Sequence, residues 1–576
     1  MSLERLRFLA DFRFRPRLVD SLHGYCAADL RADVAAGVTV GVVALPLAMA
    51  FAIASGVKPE QGIFTSIIAG FLIAALGGSK VQIGGPAGAF VVVLYAIVER
   101  YGVANLLIAT FMAGILMFVL GALRLGTLIR FIPVSIVIGF TNGIAVIIAL
   151  QQVRDFLGLK VDKMPANFFS QLDTLWHALG TVNWIALTLG AVSLAIVVLW
   201  PKSYAANAAP WRRWMAHVPG TIVVLVLGTL AVALGDLPVE TIGSRFGGIP
   251  RGLPAFSLPA FDWETAQNLV MPTLSIALLG AIESLLCARV ADGLTQDRHD
   301  PNQELMAQGA ANFVAPFFGG IAATGTVART VTNIRAGART PIAGIVHSAT
   351  LLLIMLALAP LAHDIPLACL AAILLFVAWN MGEWREFLRL RHFSHSYGTI
   401  LLATFLLTVV FDITVAVQIG LVLASLFFIR RISTLTRIEE ITLPSDFART
   451  DDGRRVAAYR IFGSLFFGSV TKLEELLDPA HPLADVVVLE LHQVINLDTT
   501  GLDALRSLHR LLRRRTGALV IAEPNEQPLS LMRRSGFIDQ LGGESAVFDD
   551  LTEALAAVRA GTAGRSGGDA PLSSMH

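Results

Sequence analysis

Two charged residues interrupt apolar stretches of this chain, and both could do chemistry. Glu283 lies midway through an apolar segment over 270–288. An acidic side chain at the centre of a membrane helix costs ~2.5–3.5 kcal/mol on the insertion scale, so it needs a partner, a proton or a wet cavity. A carboxyl group that loads a proton on one side and releases it on the other is what a proton-coupled carrier requires. The blander role is an ion pair or hydrogen bond that fixes helix packing. Arg329 ends the run Gly319-Gly320-Ile321-Ala322-Ala323-Thr324-Gly325-Thr326-Val327-Ala328. Near a helix start its guanidinium adds a full charge to the helix-end dipole and can fork onto a carboxylate or sulfate. Pairing with Glu283, or snorkelling to the interface, is the alternative.

A matching interruption occurs in the first half, at Gly84-Gly85-Pro86-Ala87-Gly88-Ala89-Phe90. Pro86 suits the first turn of a helix, and the glycines permit an irregular approach to it. Two interrupted segments in corresponding halves point to a transporter with inverted repeats. Facing helix N-termini would present free N–H groups and positive dipole ends to an anion. Two glycine-rich packing helices would give the same pattern. Pro86–Glu99 and Arg329–Ala338 are expected to be the two helices, starting near mid-membrane across one cavity.

The elements that must hold these residues follow from composition. Of 576 residues, 55% are hydrophobic and only 15% are charged, against ~25% charged in soluble domains. Mean hydropathy is +0.67. A soluble enzyme is excluded, and a polytopic membrane protein is indicated. A net charge of +1 gives no bulk attraction to nucleic acid. Cys26, Cys287 and Cys369 are too scattered for a disulfide framework or metal cluster. No Walker-type sequence or zinc-site spacing is present, which disfavours an ATP-driven pump and a membrane metalloenzyme. No cofactor or bound metal is expected.

Long apolar runs cover 34–55, 103–121, 131–150, 182–200, 218–235, 270–288, 341–360, 397–413 and 415–430. Shorter glycine-rich runs cover 62–77, 86–98, 307–321, 326–334 and 365–381. Together they make about 14 segments. The first 33 residues are charged and show no cleavable signal peptide. Basic residues at Arg5, Arg7, Arg13, Arg15, Arg17 and Arg31, at Arg124 and Arg130, at Lys202, Arg212 and Arg213, at Arg385, Arg389 and Arg391, and at Arg430 and Arg431 place both termini in the cytoplasm. The expected division is an N-terminal arm (1–33), a transmembrane transport domain (34–432), a cytoplasmic α/β domain (433–561) and a disordered tail (562–576). In the α/β domain, 457–462, 486–491 and 518–522 read as strands, and 501–515 and 528–535 as helices. Asn142, His347, Asp412 and Gln418 read as helix-packing or interface residues.

Ala44-Leu45-Pro46-Leu47-Ala48-Met49-Ala50-Phe51-Ala52, followed by Ser55-Gly56-Val57, resembles the opening signature of the SulP anion transporters, the sulfate permease family that includes prestin. The Gly85-Pro86 segment, the run from Gly309 to Pro341 and the tail resemble the same family in order, over about residues 25–560. The tail resembles a STAS domain, with Asn496-Leu497-Asp498-Thr499-Thr500-Gly501-Leu502 in the place of its loop motif. Thr499 matches the phosphoacceptor position of anti-sigma-factor antagonists; a helix N-cap at Asp498, Thr499 or Thr500 is the simpler role. Gly280-Ala281-Ile282-Glu283-Ser284-Leu285-Leu286-Cys287-Ala288 and Val377-Ala378-Trp379-Asn380-Met381 look closest to bacterial DauA-type C4-dicarboxylate transporters.

The resemblance implies about 14 transmembrane segments in two inverted repeats, with core and gate domains. It also implies a bacterial inner-membrane location, a homodimer with contacting STAS domains, and a possible cytoplasmic partner for the STAS domain. It places Phe51, Ala87, Gly88, Ala89, Phe90, Thr324, Thr326, Ala328 and Arg329 at the substrate site, and Glu283 beside it in the coupling role. Leu47 stands where many members carry Gln, which weakens an assignment to sulfate. The expected activity is proton-coupled uptake of C4-dicarboxylates such as succinate or fumarate by alternating access. The alternatives are a symporter or exchanger of sulfate, bicarbonate or chloride, and an anion-sensing membrane receptor. The expected partners are the small anion, protons and membrane lipid, and no nucleic acid.

Overall fold

The computed structural model describes residues 14–127, 133–161, 163–201, 219–252, 254, 256–257, 263–411, 413–474 and 484–563. Arg5, Arg7, Arg13, Arg130, Lys202, Arg212, Arg213, Asp412 and the tail from 564 lie outside them. The chain divides into two compact units, Met1–Leu421 and Val422–His576.

The first unit is helical. Its principal helices are α1 (Ala27–Ala54), α2 (Pro59–Leu76), α3 (Gly88–Tyr101), α4 (Val103–Ala122), α5 (Val134–Leu157), α6 (Trp184–Leu199) and α7 (Gly220–Gly235). They continue with α8 (Val270–Thr295), α9 (Pro301–Val314), α10 (Val327–Arg335), α11 (Ile342–Leu358), α12 (Leu367–Met381) and α13 (His395–Val410); α14 (Ile413–Leu435) runs on past the boundary. Among the described residues, seven helical stretches are long and apolar enough to cross a membrane.

The packing repeats itself. α4 packs on α9 as α11 packs on α2, α1 on α11 as α8 on α4, and α5 on α13 as α12 on α6. Exchanging α1–α7 with α8–α14 maps these contacts onto themselves, as two repeats of one fold require. The contacts also sort the helices into two groups. One holds α1–α4 with α8–α11, and the other holds α5–α7 with α12 and α13. Between α3 and α10 lies a two-stranded antiparallel ladder, β1 (Gly84–Gly85) on β2 (Thr324–Gly325). α9 starts earlier than the apolar run over 307–321 because Asp300 caps it, accepting from Asn302 N (2.9 Å) and Gln303 N (3.1 Å). Its first turns are polar, so hydropathy misses them. An amphipathic helix at Phe168–Ala178 also escaped the apolar-run reading.

The second unit is a sheet ordered β3-β4-β5-β7-β8, with β6 pairing β4. The strands are β3 (Arg437–Ile441), β4 (Val456–Leu465), β5 (Val486–Glu490), β6 (Val494–Leu497), β7 (Ala518–Ala522) and β8 (Val547–Phe548). β3 is antiparallel to β4, and the other pairs are parallel. Alternation along β5 fills both faces. Val487 and Leu489 pack with Leu505 and Leu508 of α15 (Thr499–Arg514) and Met532 of α16 (Glu526–Arg534). Val486 and Val488 pack with Leu555 and Val558 of α17 (Leu551–Arg559). Asp498 is the N-cap of α15 and accepts from Gly501 N at 2.7 Å, while Thr499 is exposed in its first turn.

Candidate functional site

The β1–β2 ladder fixes the site. Gly84 pairs with Gly325 and Gly85 with Thr324. Because the strands are antiparallel and each feeds a helix, α3 and α10 leave in opposite directions from neighbouring starts. Thr326 extends the tie, its N–H (2.9 Å) and hydroxyl (3.0 Å) both donating to the Ile83 carbonyl. Thr330 Oγ1 accepts from Ile83 N at 3.0 Å. The helices start at Gly88 and Val327 instead of the expected Pro86 and Arg329. Ala87 remains extended (φ −121°, ψ 149°) as the N-cap of α3, and Thr326 is the N-cap of α10. Neither helix start receives a side-chain cap, so their first-turn N–H groups are available to an anion.

Arg329 sits in the first turn of α10 and is 2% exposed. Nη1 donates to Ser66 Oγ at 3.3 Å and Nη2 to the Pro86 carbonyl at 3.5 Å, both at the long limit of a hydrogen bond. Nε is buried without an acceptor. Among the described residues, no carboxylate forms an ion pair with this guanidinium, Glu283 included. A buried charge without a counterion is costly, and this one would be stabilised by an anion within its reach.

The other expected residues take different positions around this cradle. At Gly88 a Cβ would lie 3.2 Å from Phe51 Cε1 and 3.3 Å from Met381 Sδ, so α1 and α12 wall the start of α3. Phe90 packs on α8, with its Cζ 3.1 Å from where a Cβ would stand on Gly280. Ala87 and Ala89 are buried, and Ala328 is exposed beside Arg329. Thr324 and Thr326 spend their hydroxyl protons on backbone, on the carbonyls of Gly280 (3.0 Å) and Ile83. Glu283 lies on the α8 face that meets this assembly, one turn from Gly280 and one from Cys287, whose Sγ is 3.3 Å from Thr330 Oγ1. It is half-buried and makes no ion pair among the described residues.

Sequence reasoning missed the supports. Ser66 belongs to a stripe of small residues, Gly62, Ser66 and Gly70, at four-residue spacing on α2; that spacing was the available signal. Two buried carboxylates pin the loops around the half-helices. Glu304 accepts from Gly78 N (2.9 Å), Ser79 N (3.2 Å) and Gln308 Nε2 (2.8 Å). Asp33 accepts from Arg339 N (2.7 Å), Thr340 N (3.1 Å) and Thr340 Oγ1 (2.6 Å). Asn142 bonds its own helix at the Ile138 carbonyl (2.8 Å). His347 is fully buried, with neither ring nitrogen partnered among the described residues, and Gln418 is exposed.

Gly85 gives a first test. Its φ of +155° is unfavourable for other residues, and a Cβ there would stand 2.6 Å from Arg329 Nη1. Gly85→Ala is expected to displace the guanidinium and to cost about 1–3 kcal/mol in backbone strain. The half-saturating anion concentration should rise and the melting temperature fall; an unchanged half-saturation would show that Arg329 needs no fixed position.

Residues 30–404 match the sulfate permease family and residues 449–554 the STAS domain. The chain is 42% identical over 521 residues to the Bacillus subtilis (strain 168) protein named "Putative sulfate transporter YvdB", covering 90% of this chain and 96% of that one. It is 31% identical over 501 residues to the bicarbonate transporter BicA of Picosynechococcus sp., covering 83% and 86%. The solved structure of SLC26A9 superposes with a TM-score of 0.82 over 97% of this chain and 95% of that one, at 17% identity. That likeness concerns the fold.

Proposed function

Since the chain belongs to the sulfate permease family, we propose that it is a secondary transporter of small inorganic anions, sulfate or bicarbonate, working by alternating access. The observation that carries this reading is the buried guanidinium of Arg329, without an ion pair among the described residues, between two helix starts that receive no side-chain cap. Dipole ends and one arginine suit a compact anion of low charge. The expected preference for C4-dicarboxylates gives way here. Relatives over most of the chain carry the names of sulfate and bicarbonate transporters. A dicarboxylate also presents two separated charges to a cradle with one guanidinium.

In this reading the group containing α3 and α10 carries the anion past the group containing α5 and α12. Glu283 is the proton-coupling group: a carboxyl on the site-facing side of α8, half-buried and without an ion pair among the described residues. The protein works in a bacterial inner membrane as a homodimer, with both termini cytoplasmic.

The test is uptake of labelled sulfate, bicarbonate and succinate into proteoliposomes, with and without an inward proton gradient. Uptake of sulfate or bicarbonate above succinate, accelerated by the gradient, is expected. Uptake of succinate alone, or of no anion, would overturn the reading.

A further inference from the structure

The second unit holds a cluster that anion transport does not use. Glu490 ends β5, His492 follows it by two residues, and Glu523 follows the end of β7. β5 and β7 are parallel neighbours, so all three residues gather at the carboxyl ends of adjacent strands, where open α/β sheets commonly bind ligands. One ligand atom from each residue lies within 4.8 Å of those from the other two.

Each carboxylate is held by its other oxygen. Glu490 is 2% exposed, and its Oε2 accepts from Arg460 Nε at 2.8 Å. Glu523 Oε1 accepts from Leu551 N at 2.9 Å. The remaining oxygens face His492 Nδ1, at 2.5 Å from Glu490 Oε1 and 3.6 Å from Glu523 Oε2. That nitrogen is shielded from solvent. The histidine is anchored on its far side, with Nε2 2.6 Å from the Gln493 amide and its carbonyl accepting from Asn525 Nδ2 at 2.7 Å. The Gln493 amide nitrogen faces Nε2 and donates to it, so the imidazole proton lies on Nδ1, facing the Glu490 carboxylate, where a bound divalent ion would take its place. Two carboxylates against one guanidinium leave a negative charge at the cluster.

We propose that Glu490, His492 and Glu523 form a binding site for one divalent transition-metal ion of the zinc class. One imidazole nitrogen, two carboxylate oxygens and an open fourth position suit a tetrahedral ion. Calcium is a poor match, because it takes six to eight oxygen ligands.

The test uses the full chain in detergent, stripped with a chelator and titrated with Co2+. One Co2+ per chain is expected, with the visible absorption of a four-coordinate ion and displacement by Zn2+. His492→Ala and Glu523→Gln should each weaken Co2+ binding at least tenfold, with the metal-free melting temperature unchanged. These positions are half-exposed, whereas Glu490 is buried and its loss could disturb folding. Absence of stoichiometric Co2+ binding, or equal binding by wild type and both variants, would overturn the site and leave a His492–Glu490 ion pair in its place.

Discussion

Arg329→Ala is expected to weaken anion affinity by roughly ten- to hundredfold without abolishing binding. A charge-assisted hydrogen bond contributes ~1.5–3 kcal/mol, which sets that range. The helix-end N–H groups at Gly88, Ala89, Val327 and Ala328 remain in the variant, so attraction to the anion persists in reduced form. The same substitution removes a buried charge that no carboxylate among the described residues balances. The anion-free variant should therefore melt no lower than anion-free wild type. Wild type should gain about 2.7 kcal/mol of stability when the anion is present at a hundred times its Kd, and the variant only about 0.4–1.4 kcal/mol at the same concentration. Half-saturation of uptake and melting temperature with and without anion check both halves. A variant that melts lower without anion, yet keeps wild-type affinity, would make Arg329 a packing residue.

Glu283→Gln is expected to abolish acceleration by an inward proton gradient while anion binding stays within a few-fold of wild type. Glutamine keeps the size and a hydrogen-bonding group but cannot exchange a proton at neutral pH. Exchange of internal for external anion should continue, because it needs no net proton movement. The structure makes this variant informative. Glu283 forms no ion pair with Arg329 among the described residues, so removing its charge should leave the guanidinium in place. The two variants should then differ: affinity falls in Arg329→Ala, and gradient dependence disappears in Glu283→Gln. Wild-type gradient dependence in Glu283→Gln would exclude the coupling role, whatever happens to affinity.

The apolar helices were legible because each long run is its own signal. The run over 103–121 became Val103–Ala122, and the strand over 518–522 is Ala518–Ala522. Half-helix starts were legible to within two residues, since Pro86 and the glycines mark the break but do not reveal that Ala87 and Thr326 stay extended. β3 was missed because Arg-Ile-Glu-Glu-Ile is an exposed, charged edge strand with no apolar run. The carboxylate supports were illegible for another reason. Glu304 and Gly78 are 226 residues apart, and Asp33 and Thr340 are 307 apart. Nothing local distinguishes a buried, fully bonded carboxylate from one in a helix end. Thr324 and Thr326 show the reverse limit: their residue type suits a ligand, yet the fold commits their hydroxyl protons to backbone. The glutamates and histidine at the ends of β5 and β7 form no sequence motif, since the sheet alone brings residues 490 and 523 together.

The most direct test of the central claim is a structure of the full chain saturated with the anion it carries. The account predicts anion density between the starts of α3 and α10, within hydrogen-bonding distance of the Arg329 guanidinium and the first-turn N–H groups. Density elsewhere, with that cradle empty at saturation, would contradict it.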